Sequence, residues 1–177
     1  MMRWRGAMLD ISRHYFDAEF IKKTISSLAI FDYNTVHLHL TDDQGWRLES
    51  KTFPLLHEVG SIRKHSQNNH GQLEVTFDGI KHSGYLTQED VQEILDHAAS
   101  LGIQVVPEIN IPGHTGALLA AYPQFGINQN HVEVSGRWGI SDYLLRPFPE
   151  TFEFLEKVFQ EVAQLFPSEY IHVGGDE

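Results

Sequence analysis

Ile171-His172-Val173-Gly174-Gly175-Asp176-Glu177 is the stretch whose reading decides the fold. With Tyr170, its β-branched Ile171 and Val173 read as a buried strand. The glycine pair then lets the chain turn sharply where no side chain fits. Two carboxylates follow at once. Acids just past the carboxyl end of a parallel strand stand where α/β barrels and open α/β sheets keep their chemistry, in the crevice into which the strand ends point. A solvated acidic tail would carry the same residues. What separates the two readings is whether other strands end in the same way.

Working outward, Phe152, Leu155, Phe159, Val162 and Phe166 recur at helical spacing before Pro167. Residues 103–109 are apolar except for Gln104 and Glu108, the pattern of a strand covered on both faces. Asn110, Ile111, Pro112, Gly113 and His114 follow, then a short helical piece that Pro123 closes. Before this strand, Thr87-Gln88-Glu89-Asp90 nearly matches a capping box, and Val91, Ile94, Leu95, Ala98 and Leu101 form a stripe that Gly102 terminates. Residues 51–84 read as a long loop holding one alternating piece, 72–77, as half of a small hairpin. Residues 35–40 alternate as a strand and run into Thr41-Asp42-Asp43-Gln44-Gly45-Trp46, with Trp46 read as loop packing. Asp17 is an N-cap for a helix carrying Phe20, Ile21, Ile25, Leu28 and Ala29, and residues 7–11 form the first strand. The cadence β-α-β-α-β-α-β predicts right-handed crossovers and a parallel sheet.

The bulk properties agree. A chain of 177 residues, 41% hydrophobic, can bury the core of one domain. A formal charge of -11 argues against a nucleic-acid partner, which rewards clustered Lys and Arg. No apolar run approaches the roughly 20 residues of a membrane helix, and no signal peptide is visible at the start, so the compartment stays unknown. Without cysteine there is no disulfide or thiol chemistry. Of the 11 histidines, those in loop-like segments such as His57, His65, His70, His82 and His131 read as structural.

The strand ends can now be compared. The first delivers Asp10, Arg13 and His14, the second His39, Asp42 and Asp43, the third Glu108, Asn110 and His114, and the fourth Asp176 and Glu177. Every polar concentration falls on one side of the sheet, as expected of a barrel enzyme.

These residues resemble a known family. Arg5-Gly6-Ala7-Met8-Leu9-Asp10, His37-Leu38-His39-Leu40-Thr41-Asp42-Asp43-Gln44-Gly45-Trp46, Pro107-Glu108-Ile109-Asn110-Ile111-Pro112-Gly113-His114 and His172-Val173-Gly174-Gly175-Asp176-Glu177 are similar to the successive motifs of the β-N-acetylhexosaminidases of glycoside hydrolase family 20. The resemblance implies a (β/α)8 TIM-barrel fold of class α/β, here only its first four strands and three helices. Residues 1–177 would be the N-terminal part of the catalytic barrel, truncated after strand 4, since a whole barrel takes about 250 residues.

It also implies a retaining hydrolase that removes terminal β-linked N-acetylglucosamine or N-acetylgalactosamine from glycans or glycoconjugates, with the substrate's own acetamide as nucleophile through an oxazolinium intermediate. By the same resemblance Glu177 is the general acid and base, Asp176 orients the acetamide, and Asp42 and His114 form a relay to the acid. Arg5 grips the O3 and O4 hydroxyls, and His39 and Glu108 line the pocket. No cofactor or metal is implied, and no membrane segment. Family members are often secreted, periplasmic or lysosomal. Asn110 departs from the family's usual Asp.

Two other readings stay open. One is an inactive fragment or sugar-binding remnant of such an enzyme, whose open sheet edges invite self-association. The other is a metal-dependent barrel hydrolase using His39, His114, His172 and carboxylates as ligands.

Overall fold

The computed structural model describes residues 2–69, 74–128 and 130–175. Four parallel strands, β1 (Gly6–Asp10), β2 (Thr35–His39), β3 (Gln104–Ile111) and β4 (His172–Gly174), lie side by side in sequence order. Three long helices connect them, α1 (Ala18–Ile30), α2 (Gln88–Ser100) and α3 (Pro149–Leu165). The class is α/β, with the strand–helix alternation of a TIM barrel over four strands.

Local chemistry sets the helix starts. Asp17 accepts from Phe20 N at 2.9 Å ahead of α1, which holds a backbone donor that has no partner within the helix. Thr87 and Asp90 form a full capping box on α2, and Pro149 sits in the first turn of α3. Past α2, Gly102 takes φ +70°, the left-handed value that ends a helix without a Cβ penalty.

Each helix buries one stripe on the sheet: Ile21 and Ile25, then Val91, Ile94, Leu95 and Ala98, then Phe154, Leu155, Val158 and Val162. On α3 the buried face is rotated from the expected one, because Phe154 and Val158 enter the core and Phe152 remains exposed. A fully buried aliphatic side chain contributes about 1.5–3 kcal/mol, so these stripes fix the helices more firmly than propensity does.

Register matters most for function. Asp10 pairs with His39, His39 with Glu108, and Glu108 with His172, so four polar residues form one row across all four strands near their carboxyl ends. Between the pairs Glu108↔His172 and Ile111↔Gly174, β3 carries an extra residue, a bulge that bends the strand end. There Gly174 stands at φ +70°, and a Cβ on it would lie 1.7 Å from Asn110 Oδ1. Backbone angle and lack of space both demand glycine.

The 51–84 segment is more structured than a long loop. It contains a helical turn at Leu55–Glu58 and an antiparallel pair of short strands, Ile62–Arg63 with His82–Ser83. Gln67 bridges Phe77, while Gln72 and Leu73 of the expected hairpin lie outside the described residues. Arg47 anchors the segment. Fully buried, it donates to the carbonyls of Ser12, Ser61, Gly84 and Gln44 at 2.7–3.2 Å. Trp46 is buried beside it, its Nε1 donating to Leu48 O at 2.7 Å.

Candidate active site

The row of register is the floor of a continuous polar network. His37 Nε2 lies 2.5 Å from Glu108 Oε2, and His39 Nδ1 reaches the same oxygen at 2.8 Å. The other nitrogen of His39 is 2.8 Å from Asp42 Oδ2. Arg13 bridges Asp42 Oδ2 at 2.8 Å and Asp10 Oδ2 at 2.9 Å. On its second oxygen, Asp42 meets His114 Nδ1 at 3.1 Å. Beside it, Asp43 accepts from Gly116 N and Ser141 Oγ, both at 2.8 Å.

Strand alternation explains why these side chains meet. His37 and His39 are two apart and project to one face, whereas Val36, Leu38 and Leu40 point to the helices and are buried. Asp42 follows where the chain leaves the strand, and its Oδ1 also accepts from Asp43 N at 2.7 Å, which fixes the carboxylate. His114 adopts φ +53°. A histidine in the left-handed region is strained, and such strain persists where surrounding contacts enforce it, as the Asp42 contact does here.

The electrostatics follow from the pairing. Burial alone would discharge His39, but hydrogen bonds to Asp42 and Glu108 outweigh it and push its pKa up to about 9. With a carboxylate at each ring nitrogen, His39 donates twice and is an imidazolium. Burial would also raise Glu108, yet hydrogen bonds from His37 and His39 hold it well below the usual carboxylate range. Burial opposes the charge on Arg13 as well, and Asp42 with Asp10 more than offsets it. Asp43 goes the other way. Its burial raises the pKa against the help of Gly116 and Ser141.

Of the expected site residues, Asp42, His114, His39 and Glu108 come together in this network. Asp176 and Glu177 lie outside the described residues; β4 and the turn at Gly174 and Gly175, with φ of +70° and +77°, lead up to them. Arg5 stands apart, and here the expectation needs correcting. It precedes β1 at the amino end of the sheet, pairs with Asp32 at 3.1 Å, and donates to the carbonyls of Asp32 and Met2. Five residues of extended chain, roughly 16 Å, separate it from Asp10. Arg13 is the arginine at the carboxyl end. Its guanidinium lies 5.2 Å from the centre of the Trp138 ring, and its Nε has no hydrogen-bond partner among the described residues. The signal was available, since Arg13 follows β1 and Arg5 precedes it. Ser141, by contrast, sits in a loop with no pattern to mark it.

Two groups have the residue types and spacing for a metal ion, His37 with Glu108 and His172, and Asp42 with Asp43 and His114. In both, the donor atoms are already engaged within the protein: Glu108 Oε2 by two histidines, Asp42 Oδ2 by His39 and Arg13. His39, one of the ligands expected under the metal reading, has both nitrogens on carboxylates.

Known proteins share this arrangement of strands. The chain is 41% identical over 177 residues to a beta-hexosaminidase of Vibrio furnissii, covering 99% of this chain and 29% of that protein. It is 43% identical over 175 residues to a beta-hexosaminidase of Porphyromonas gingivalis, covering 98% of this chain and 21% of that one. The chain thus spans about a fifth to a third of the length of these curated relatives. A crystal structure of a beta-N-acetylhexosaminidase superposes with a TM-score of 0.91 at 41% identity, over 99% of this chain and 36% of that chain. A mutant Streptomyces plicatus beta-hexosaminidase in complex with product (GlcNAc) superposes with a TM-score of 0.84 at 36% identity, over 98% and 32%. The family model described as glycosyl hydrolase family 20, catalytic domain, matches residues 2–177, and the chain belongs to that family.

Proposed function

We propose that the protein is a β-N-acetylhexosaminidase that removes terminal β-linked N-acetylglucosamine or N-acetylgalactosamine with retention of configuration, the 2-acetamido oxygen of the substrate attacking the anomeric carbon. One observation carries this reading: the Glu108–His39–Asp42–His114 network at the carboxyl ends of the sheet, beside the strand that leads into Asp176 and Glu177. In this reading residues 1–177 form the first half of the barrel.

Glu177 protonates the leaving oxygen and then, as the carboxylate, takes a proton from the water that opens the oxazolinium ring. Asp176 accepts a hydrogen bond from the acetamide nitrogen and offsets the positive charge developing on the cyclising group. His114 carries the influence of Asp42 towards the acid, while His39, itself held by Glu108, keeps the Asp42 carboxylate in place. Arg13, not Arg5, meets the sugar hydroxyls, because it stands at the carboxyl end of the sheet and a planar fork of donors suits a vicinal diol.

The test is release of 4-nitrophenol from the aryl β-glycoside of N-acetylglucosamine, by this chain and by its full gene product, against the glucoside that lacks the acetamide. Turnover of the first and not the second supports the acetamide's role. Equal turnover of both removes it, and no turnover of either removes the hydrolase reading in favour of a sugar-binding remnant.

A further inference from the structure

Beside the network, a cavity of about 440 Å³ opens between the end of β1, residues 63–67 and 78–82, and the loop at 136–138. Its charged lining is one-sided. Arg13, Arg63, Lys81 and Arg137 face it, with Asp78 as the one acid lining it among the described residues. This is unexpected in a chain of formal charge -11.

Part of that positive charge has no carboxylate to balance it: Asp78 acts on Arg63, and Lys81 and Arg137 are left over. Arg13 is paired to Asp10 and Asp42 and can be discounted. Arg63 donates to Ser66 Oγ at 2.9 Å and to Gln44 O at 3.1 Å, and the buried Arg47 donates to that same carbonyl at 3.2 Å. Two guanidinium groups therefore share one neutral acceptor. Lys81 and Arg137 make no ion pair among the described residues. Asp78 is occupied, its Oδ1 accepting from the backbone of Ser66 and Ile80. The field also acts on the two histidine rings of the wall, His14 and His82, which lie 4.5 Å apart. Both are held neutral by burial first and by Arg63 and Arg47 next, His82 down to about 4.

We infer that this cavity binds a tetrahedral oxyanion, a sulfate or phosphate group, through Arg63, Lys81 and Arg137. Arg13 forms the wall shared with the sugar site, so an ester group on the bound glycan could reach the cavity as well as a free ion. A forked guanidinium and two further cations suit the terminal oxygens of such a group. Only the sugar-borne source rests on the function proposed above.

Isothermal titration of the chain with sodium sulfate, at ionic strength held constant with chloride, tests the site. We expect saturable 1:1 binding that weakens at least about tenfold in Lys81→Ala/Arg137→Ala, since each lost contact is a charge-assisted hydrogen bond. Both residues lie outside the network, so hydrolysis of the unsulfated aryl glycoside stays unchanged in the double variant. A second arm compares O-sulfated N-acetylglucosamine with its unsulfated parent. Binding more than tenfold tighter than inorganic sulfate places the anion on the glycan, and binding equal to inorganic sulfate assigns a free ion. No saturable sulfate binding, or binding equal in wild type and double variant, overturns the site. Sulfate binding in a protein that hydrolyses no N-acetylhexosaminide would overturn the proposed function alone.

Discussion

Two buried polar clusters lie side by side in this protein and handle charge in opposite ways. In the network around Asp42, every cation faces a carboxylate: Arg13 meets Asp10 and Asp42, and His39 meets Asp42 and Glu108. Around Arg47 and Arg63 the guanidinium groups face backbone carbonyls and a hydroxyl instead. The histidines register the difference. His39 is pushed up to about 9 by its carboxylates, whereas His82, with burial and then Arg63 acting on it, falls to about 4. Carboxylate pairing holds the charges of the first cluster in place. Carbonyl pairing ties loops together and leaves a positive field beside them.

Glu177→Gln should produce the largest effect if Glu177 is the proposed general acid. General acid–base groups typically contribute about 10²–10⁴-fold. We expect a loss of about 10³-fold in kcat/KM for a substrate with a poor leaving group and a smaller loss for an activated aryl leaving group. An equal loss for both would remove Glu177 from acid catalysis.

Asp42→Ala should come next, because it takes one carboxylate partner from His39, Arg13 and His114 at once. Breaking a buried pair costs about 3–5 kcal/mol, and the rate per folded molecule should fall by about 10²-fold or more. Chemical denaturation and turnover of the folded fraction measure the two separately. Arg47→Met sharpens the contrast. Its carbonyls lose their donors at about 1–3 kcal/mol for each group left unsatisfied, yet kcat per folded molecule should hold. A fall in kcat as large as that of Asp42→Ala would show that the two clusters act as one.

Acidity separates them again. His39 has a folded pKa above its ordinary 6.5, so its stabilisation is complete below about 6.5 and is lost as pH rises through about 9. His82 has a folded pKa below 6.5, so its contribution is present above about 6.5 and is lost as pH falls through about 4. Unfolding free energies measured across pH should therefore lose their alkaline slope in His39→Gln and their acidic slope in His82→Gln. The reverse pattern would mean that the charges are assigned wrongly.

The smallest effect is expected at the amino end of the sheet. Arg5→Ala removes a pair with Asp32, whose side chain is 69% exposed, and exposed pairs contribute about 0–1 kcal/mol. KM should shift less than about twofold, while Arg13→Ala should raise it at least about tenfold, the size expected for lost charge-assisted hydrogen bonds. Equal effects would restore Arg5 to the sugar site.

Much of this molecule was legible in its residues because the interactions concerned are local. The Asp17 cap, the Thr87–Asp90 box and the Gly102 terminator act within a turn of helix. Alternation in residues 35–40 placed His37 and His39 on one face without any partner being known. The apolar run around Glu108 likewise marked a covered strand. The sequence alone also determined which strand ends carry acids and histidines, and hence the class of fold and the side on which its chemistry lies.

Only the tertiary structure decided which of those residues touch. His37 and Glu108 are 71 positions apart, and their meeting depends on a register that no local pattern encodes, because it is set by backbone pairing between β2 and β3. The exchange of Arg5 for Arg13 has the same origin: two arginines flank one short strand, and the strand's direction in the sheet sends them to opposite ends. Arg47 was hidden for a different reason. A charged residue in a polar motif reads as exposed, and its complete burial follows from carbonyls that three separate loops bring to it.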